Sequence, residues 1–453
     1  MSIIIDDLYP ELIQYCGLIE QLKFRCTNKF HHNKINSDLL KEYFHFKTNY
    51  DECEITLNSV CHYGYLNLAK WMFYKKYSGP EYDCGSEINE VFMDTIKGGH
   101  LKILKWLHSL GNIDIIGDPK YYDFSDYFQE SCKNGHIKIA KWLYKFGGNI
   151  HYNNSAVFKL SCRNGHIKIA KWLYKLGADI HDRDDSAFLL SYEYDHIEIV
   201  KWLYSLGNID IHDYDDYAFR NTCENGYIEI AKWFYSLGNV DIHSENEEAF
   251  RMSCRNGHFE IAKWLYSLGN IDIHVGDEYA FRNTCKNGHF EIAQWLYSLG
   301  NIDIHSEEEY FFKISCGNGH FEIAKWLYSL DNIDINSYGE YVFKVSCENG
   351  HIEIARCLYS LGNIDIHAND KYVFKASCEN GHIEIAKWLY SFGNMNIHFN
   401  NDHYFRIACE SDQIEIAKWL HSMGDVNILT KNGYVFKHGS KHIRKWLCTL
   451  LNK

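Results

Sequence analysis

Cysteine and histidine stand at fixed spacing along this chain, and both residue types can hold a metal. Nine of its 16 cysteines (Cys132, Cys162, Cys223, Cys254, Cys285, Cys316, Cys347, Cys378 and Cys409) share one repeating position. In most units a histidine follows four residues on, as His320 follows Cys316. A structural zinc site needs about four ligands around one ion. Each unit offers two, its cysteine points toward a core, and stacked layers would stand about 10 Å apart. Disulfides within the column fail on the same distance, because bridged Cα atoms lie within about 7 Å. No C-x-x-C occurs. The regularity reads as structure in a reducing compartment, with no metal and no cofactor.

Histidine makes two columns. One follows the inter-helix turn, after a glycine or, once, Asp195 (His136, His166, His196, His258, His289, His320, His351, His382), and one ends each crossing segment (His151, His181, His212, His243, His274, His305, His367, His398). Neither has a carboxylate or nucleophile spaced for a triad, and catalytic sites are not built by repeating one environment many times. G-x-x-x-x-G-K-[ST], H-E-x-x-H and G-x-S-x-G are missing too. No catalytic residue is assigned, no enzyme is expected, and hydrogen bonds that stabilise turns are the expected role of both columns.

A basic column (Lys159, Arg220, Arg251, Arg282, Lys313, Lys344, Lys375, Arg406, Lys437) could attract phosphate or acidic partners. Four residues upstream, however, lie Asp216, Glu247, Glu278, Glu309, Glu340 and Asp402. Acid in a first turn with base at i+4 supports a helix by about a few tenths of a kcal/mol, and the pairing cancels the field a polyanion needs. The residues left for binding are Tyr217, Tyr279, Tyr310, Tyr341 and Tyr372, a regular row in the first turn of each first helix. Such a row suits the hot spot of a protein partner.

The elements that must carry these columns follow from the tryptophan period. Trp142, Trp172, Trp202, Trp233, Trp264, Trp295 and Trp326 lie 30 or 31 residues apart, Cys357 fills the next slot, and Trp388, Trp419 and Trp446 follow. Residues 308–336 show one unit. Phe312 and Cys316 form one buried stripe of a short helix, Gly319 ends it, and Ile323, Leu327 and Leu330 line a second. NIDIH then crosses to the next unit in extended form. Two amphipathic helices cannot bury their stripes alone, so neighbours must stack into an all-α solenoid. At 453 residues and 46 % hydrophobic the chain is too long for one core and too apolar for disorder. Its formal charge of −14 argues against nucleic acid or an anionic membrane as the main partner. No apolar run approaches membrane-spanning length, and MSIIIDDLYP lacks the basic patch of a secretory signal.

These units resemble the ankyrin repeat, most closely in CKNGHIKIAKWLYKFGGNIH (132–151) and CRNGHIKIAKWLYKLGADIH (162–181). The resemblance covers about 400 residues and implies stacked helix pairs that bind proteins through a concave surface. The Phe/Cys/Trp/Tyr dress is similar to the divergent ankyrin proteins of large DNA viruses. Two departures stand out. The finger segment is shorter than in the family, so stubby hairpins or simple turns are expected. The family's Thr-Pro is missing, and Asn154, Asp184, Asp215, Asn246, Asp277, Asp370, Asn401 and Asn432 stand where side-chain N-caps could start the first helix instead.

Residues 1–50 lie before the array. Leu8, Pro10, Leu12, Ile13 and Leu22 resemble a shortened F-box, which implies docking to the adaptor of a cullin-type ubiquitin ligase; the other reading is a helical cap for the first repeat. Residues 51–430 hold about 12 units, with insertions at 75–90 and 111–126, and residues 431–453 read as a truncated capping repeat. The expectation is a cytoplasmic, unsecreted, monomeric interaction scaffold, or alternatively a ligase substrate adaptor, with no nucleic-acid or membrane partner.

Overall fold

The computed structural model describes residues 42–43, 45–47, 49, 55–76, 85–110, 124–330, 333, 335–361, 370–393, 395–424 and 426–451. Among them the regular structure is α-helical and no strand forms, so the crossings are simple turns rather than extended hairpins. No helix of the described residues is long and apolar enough to cross a membrane.

The chain divides into two units, Met1–Ile209 and Asp210–Lys453. The first unit holds α1 (Leu57–His62) with α2 (Leu66–Lys76), α3 (Gly85–Gly98) with α4 (Leu101–Ser109), and α5 (Phe124–Lys133) with α6 (Ile137–Tyr144). It continues with α7 (Tyr152–Arg163) and α8 (Ile167–Lys175), then α9 (Asp182–Glu193) and α10 (Ile197–Ser205). The second unit opens with α11 (Asp213–Glu224), α12 (Ile228–Ser236), α13 (Ser244–Asn256), α14 (Phe259–Leu268), α15 (Val275–Asn287) and α16 (Phe290–Ser298). Next come α17 (Ser306–Gly317), α18 (Phe321–Leu330), α19 (Ile335–Glu348), α20 (Ile352–Ser360), α21 (Asp370–Asn380) and α22 (Ile383–Tyr390). It closes with α23 (Phe399–Glu410), α24 (Ile414–Ser422), α25 (Thr430–His438) and α26 (Lys441–Leu451).

Each pair is amphipathic in the way the period requires. On α18, Ile323, Ala324 and Leu327 are buried, whereas Glu322 and Lys325 face solvent. On α17 the buried stripe is Phe311, Phe312, Ser315 and Cys316, with Ile314 only half-buried. Full burial of one such phenylalanine or leucine is worth about 1.5–3 kcal/mol. Second helices meet edge to face, Tyr266 standing 5.6 Å from Trp295, and Phe250 of the preceding first helix stands 6.1 Å from the same ring in a tilted arrangement. The tryptophan column is thus the seam between neighbouring pairs.

A second joint lies at the turn between the helices of a pair. Gly319 adopts φ +83°, which favours glycine, and the His320 N–H donates to Ser315 O at 2.9 Å. The next repeat's His351 then lays its ring against that glycine. A Cβ on Gly319 would stand 2.6 Å from the His351 ring, whose Nε2 lies 3.1 Å from Gly317 O. The same joint recurs in the first unit, where His166 Nε2 reaches Lys133 O at 2.8 Å over Gly135. These histidines therefore do more than brace their own turns, because each ring ties its repeat to the one before.

The starts of the first helices differ from expectation. The helices α11, α13 and α23 show no side-chain cap hydrogen bond at their N-caps. Instead three successive residues take left-handed backbone: Tyr214, Asp215 and Asp216 at φ 54°, 56° and 59°. Glu245, Asn246 and Glu247 do the same, as do Asn400, Asn401 and Asp402. Asp215, Asn246, Asp277 and Asn401 are consequently not caps. They occupy the middle of a left-handed turn, a conformation Asn and Asp tolerate better than most residues.

Candidate interaction surface

A left-handed turn of non-glycine residues needs external support, at about 1–2 kcal/mol per residue. The columns supply it. Before α13, Asp241 Oδ1 accepts the His243 N–H at 2.9 Å, and the His243 ring Nδ1 lies 2.8 Å from Glu247 Oε1. From inside the helix, Arg251 Nε donates to Asn246 O at 2.6 Å and its Nη2 to Glu245 O at 2.9 Å. Arg220 and Arg406 clamp their own turns in the same way, and Arg282 Nη2 donates to Gly276 O at 2.7 Å.

The expected acid–base pairs along the helix are therefore corrected. Asp216, Glu247, Glu278, Glu309 and Asp402 turn to a histidine at i−4, at 2.6–2.8 Å. Asp216 Oδ2 also accepts the Asp241 N–H of the following crossing at 2.8 Å, so the carboxylate spans two repeats. The arginines, freed from those acids, bind backbone carbonyls because a guanidinium offers several donors in a fixed fork. Arg220 in addition pairs with Glu248 of the next repeat.

Of the five tyrosines of the sequence reading, Tyr217, Tyr279 and Tyr310 sit directly after such left-handed residues. Tyr217, Tyr341 and Tyr372 are 43 %, 60 % and 47 % exposed, while Tyr279 and Tyr310 are half-buried. Part of the row is engaged by the basic column of the preceding repeat: Arg251 lies 4.8 Å from the Tyr279 ring and Lys344 lies 4.0 Å from Tyr372. The Glu348 carboxylate accepting from Tyr372 raises that phenol above its usual range. Tyr310 helps wall a cleft of about 330 Å³ with His274, Glu278, Arg282 and Phe311. Sequence reasoning missed Tyr214, 84 % exposed, because its equivalents are Glu245 and Gly276 and no column marks it.

The cysteine column lies away from solvent. Burial pushes the Cys132 thiol up to about 12, and raises those of Cys254 and Cys285 further in the same direction. Such thiols are neither nucleophiles nor ligands at neutral pH. Among the described residues no group of three or more His, Cys, Asp or Glu gathers where a metal could sit. Leu8, Pro10, Leu12, Ile13 and Leu22 lie outside the described residues.

Comparison with known proteins follows the same lines. No curated protein matches the chain. Among solved structures, the crystal structure of the human ASB11 ankyrin repeat domain is similar over 44 % of this chain and 96 % of that one, at 16 % identity and a TM-score of 0.35. The family described as "Ankyrin repeats (3 copies)" matches residues 92–184, 185–277 and 281–370, together more than half of the chain. By that match, the chain belongs to the ankyrin repeat family.

Proposed function

We propose that the chain is a non-enzymatic scaffold that binds a protein partner through the concave ankyrin surface, with Tyr217, Tyr279, Tyr310, Tyr341 and Tyr372 among its contacts. The observation that carries this reading is the contrast between columns. The thiols, which could do chemistry, are buried and hold their protons, whereas Tyr217, Tyr341 and Tyr372 stand exposed, Tyr217 beside a turn clamped by His212 and Arg220. Aromatic side chains on a rigid support lose little entropy on binding. Capture of partners by the full chain, identified by mass spectrometry, is the first measurement. The triple variant Tyr217→Ala, Tyr341→Ala, Tyr372→Ala is expected to weaken the captured complex at least tenfold with unchanged thermal unfolding; unchanged affinity sinks the tyrosine row.

A second reading is favoured by the F-box-like pattern of Leu8, Pro10, Leu12, Ile13 and Leu22. In it, residues 1–50 grip the adaptor of a cullin-type ligase and the array selects the substrate. Co-purification with that adaptor, abolished by deleting residues 1–45, supports this reading, and association that survives the deletion ends it. The aromatic dress of the repeats, similar to ankyrin proteins of large DNA viruses, favours a viral protein acting as a monomer in the host cytoplasm.

A further inference from the structure

Three neighbouring second helices of the first unit present a face of one charge. Lys102 and Lys105 on α4, Lys138 and Lys141 on α6, and Lys168 and Lys171 on α8 are all exposed, and none of these helices contains an acidic residue. The helices are adjacent: the His108 and Trp142 rings join α4 to α6 at 5.4 Å, and Tyr144 and Trp172 join α6 to α8 at 5.6 Å. One further lysine, Lys145 or Lys175, ends each of α6 and α8.

Packing does not ask for these lysines. At the slot of Lys102, Lys138 and Lys168, the helices α10, α12, α14, α16, α18, α20, α22 and α24 all carry glutamate, from Glu198 to Glu415. There the glutamate can pair with a base at i+3, as Glu415 does with Lys418 at 2.8 Å and Glu260 with Lys263 at 3.6 Å. In α4, α6 and α8 two like charges occupy the same i,i+3 positions, which destabilises a helix by a few tenths of a kcal/mol each. The charge reversal is also local. Residues 210–453 hold 34 acidic against 22 basic residues, whereas residues 1–209 hold 26 against 24.

We propose that the lysine face of α4, α6 and α8 docks an extended acidic segment of a protein partner, with a carboxylate at about every third residue. Neighbouring helix axes stand about 8–10 Å apart, and three residues of extended chain span about 10 Å, so successive carboxylates meet successive helices. Nucleic acid fits this face less well. The tryptophan rings that bases would stack on are already occupied: Lys141 Nζ lies 5.8 Å from the Trp172 centroid and Lys171 Nζ lies 5.7 Å from that of Trp202. The three helices also lack arginine, the residue suited to bidentate phosphate contacts.

The test uses the full chain and a fluorescent twelve-residue peptide with glutamate at every third position, read by anisotropy at physiological salt. The wild type binds saturably, the double variant Lys138→Glu, Lys168→Glu binds at least tenfold more weakly, and Glu198→Lys binds several-fold more tightly. Glutamate already fills the equivalent slot in eight helices, so the double variant keeps its fold, which an unchanged melting curve verifies. No binding by the wild type, equal binding by the double variant, or tighter binding of duplex DNA or anionic vesicles at equal charge overturns the proposal. Capture through the tyrosine row is read separately, so either surface can fail without the other.

Discussion

Gly319 and Gly393 share nearly the same φ, +83° and +82°, but differ in what lies beyond them. A Cβ on Gly319 would meet the His351 ring at 2.6 Å, whereas a Cβ on Gly393 would have nothing within 4 Å. Alanine at Gly393 is therefore expected to lose only the left-handed preference, about 1–2 kcal/mol. Alanine at Gly319 loses that and also displaces the histidine from Gly317 O, so its denaturation midpoint falls clearly further; equal midpoints would mean the joint contributes little. The glycine was legible in the sequence as a helix terminator. Its second duty was not, because the histidine that needs the space stands one full period downstream.

At the scale of the element, the left-handed turn before each first helix shows where the sequence misleads. Asn and Asp are preferred both as N-caps and in left-handed backbone, so Asn246 or Asp277 supports either reading until the arginine is placed. Fork geometry decides it: Arg251 reaches the carbonyls of Asn246 and Glu245, contacts that a helix start with a side-chain cap does not offer. Two outcomes follow for α13. Glu245→Gly, which copies the natural Gly276 of the next repeat, is expected to stabilise the chain by about 0.5–1 kcal/mol. Arg251→Ala is expected to destabilise it by about 1–3 kcal/mol through the loss of two hydrogen bonds at about 0.5–1.5 kcal/mol each. Urea denaturation of the two variants checks both signs. The helices themselves were plain from the period of the hydrophobic residues, since α18 buries the residues that its spacing marks.

At the scale of the molecule, several of these joints share one direction of pH response. Burial against the preceding repeat holds the imidazoles of His166, His289 and His351 below their ordinary value of 6.5, with the backbone carbonyl partner acting in the opposite direction. The unfolded chain takes up protons near pH 6.5, and the folded chain resists doing so. The stability from these rings is full above that pH and drains as pH falls through it toward the lower folded values. The double variant His289→Gln, His351→Gln is expected to lose less of its melting temperature between pH 7.5 and 5.5 than the wild type does. Glutamine is tolerated there, because Gln413 occupies the same slot against Gly381. An equal loss in both proteins would place the acid sensitivity elsewhere.

The glycine–histidine joint also sets an editing rule for the gene. Within the regular stretch, apart from the joint where Asp195 and Tyr227 take the two slots, a duplication or excision of one whole period restores a glycine opposite a histidine and leaves no seam. Gains or losses of any other size put a side chain into that notch. Such a chain can drift in length by recombination, one full unit at a time, while the glycine–histidine joints that survive stay interchangeable with one another.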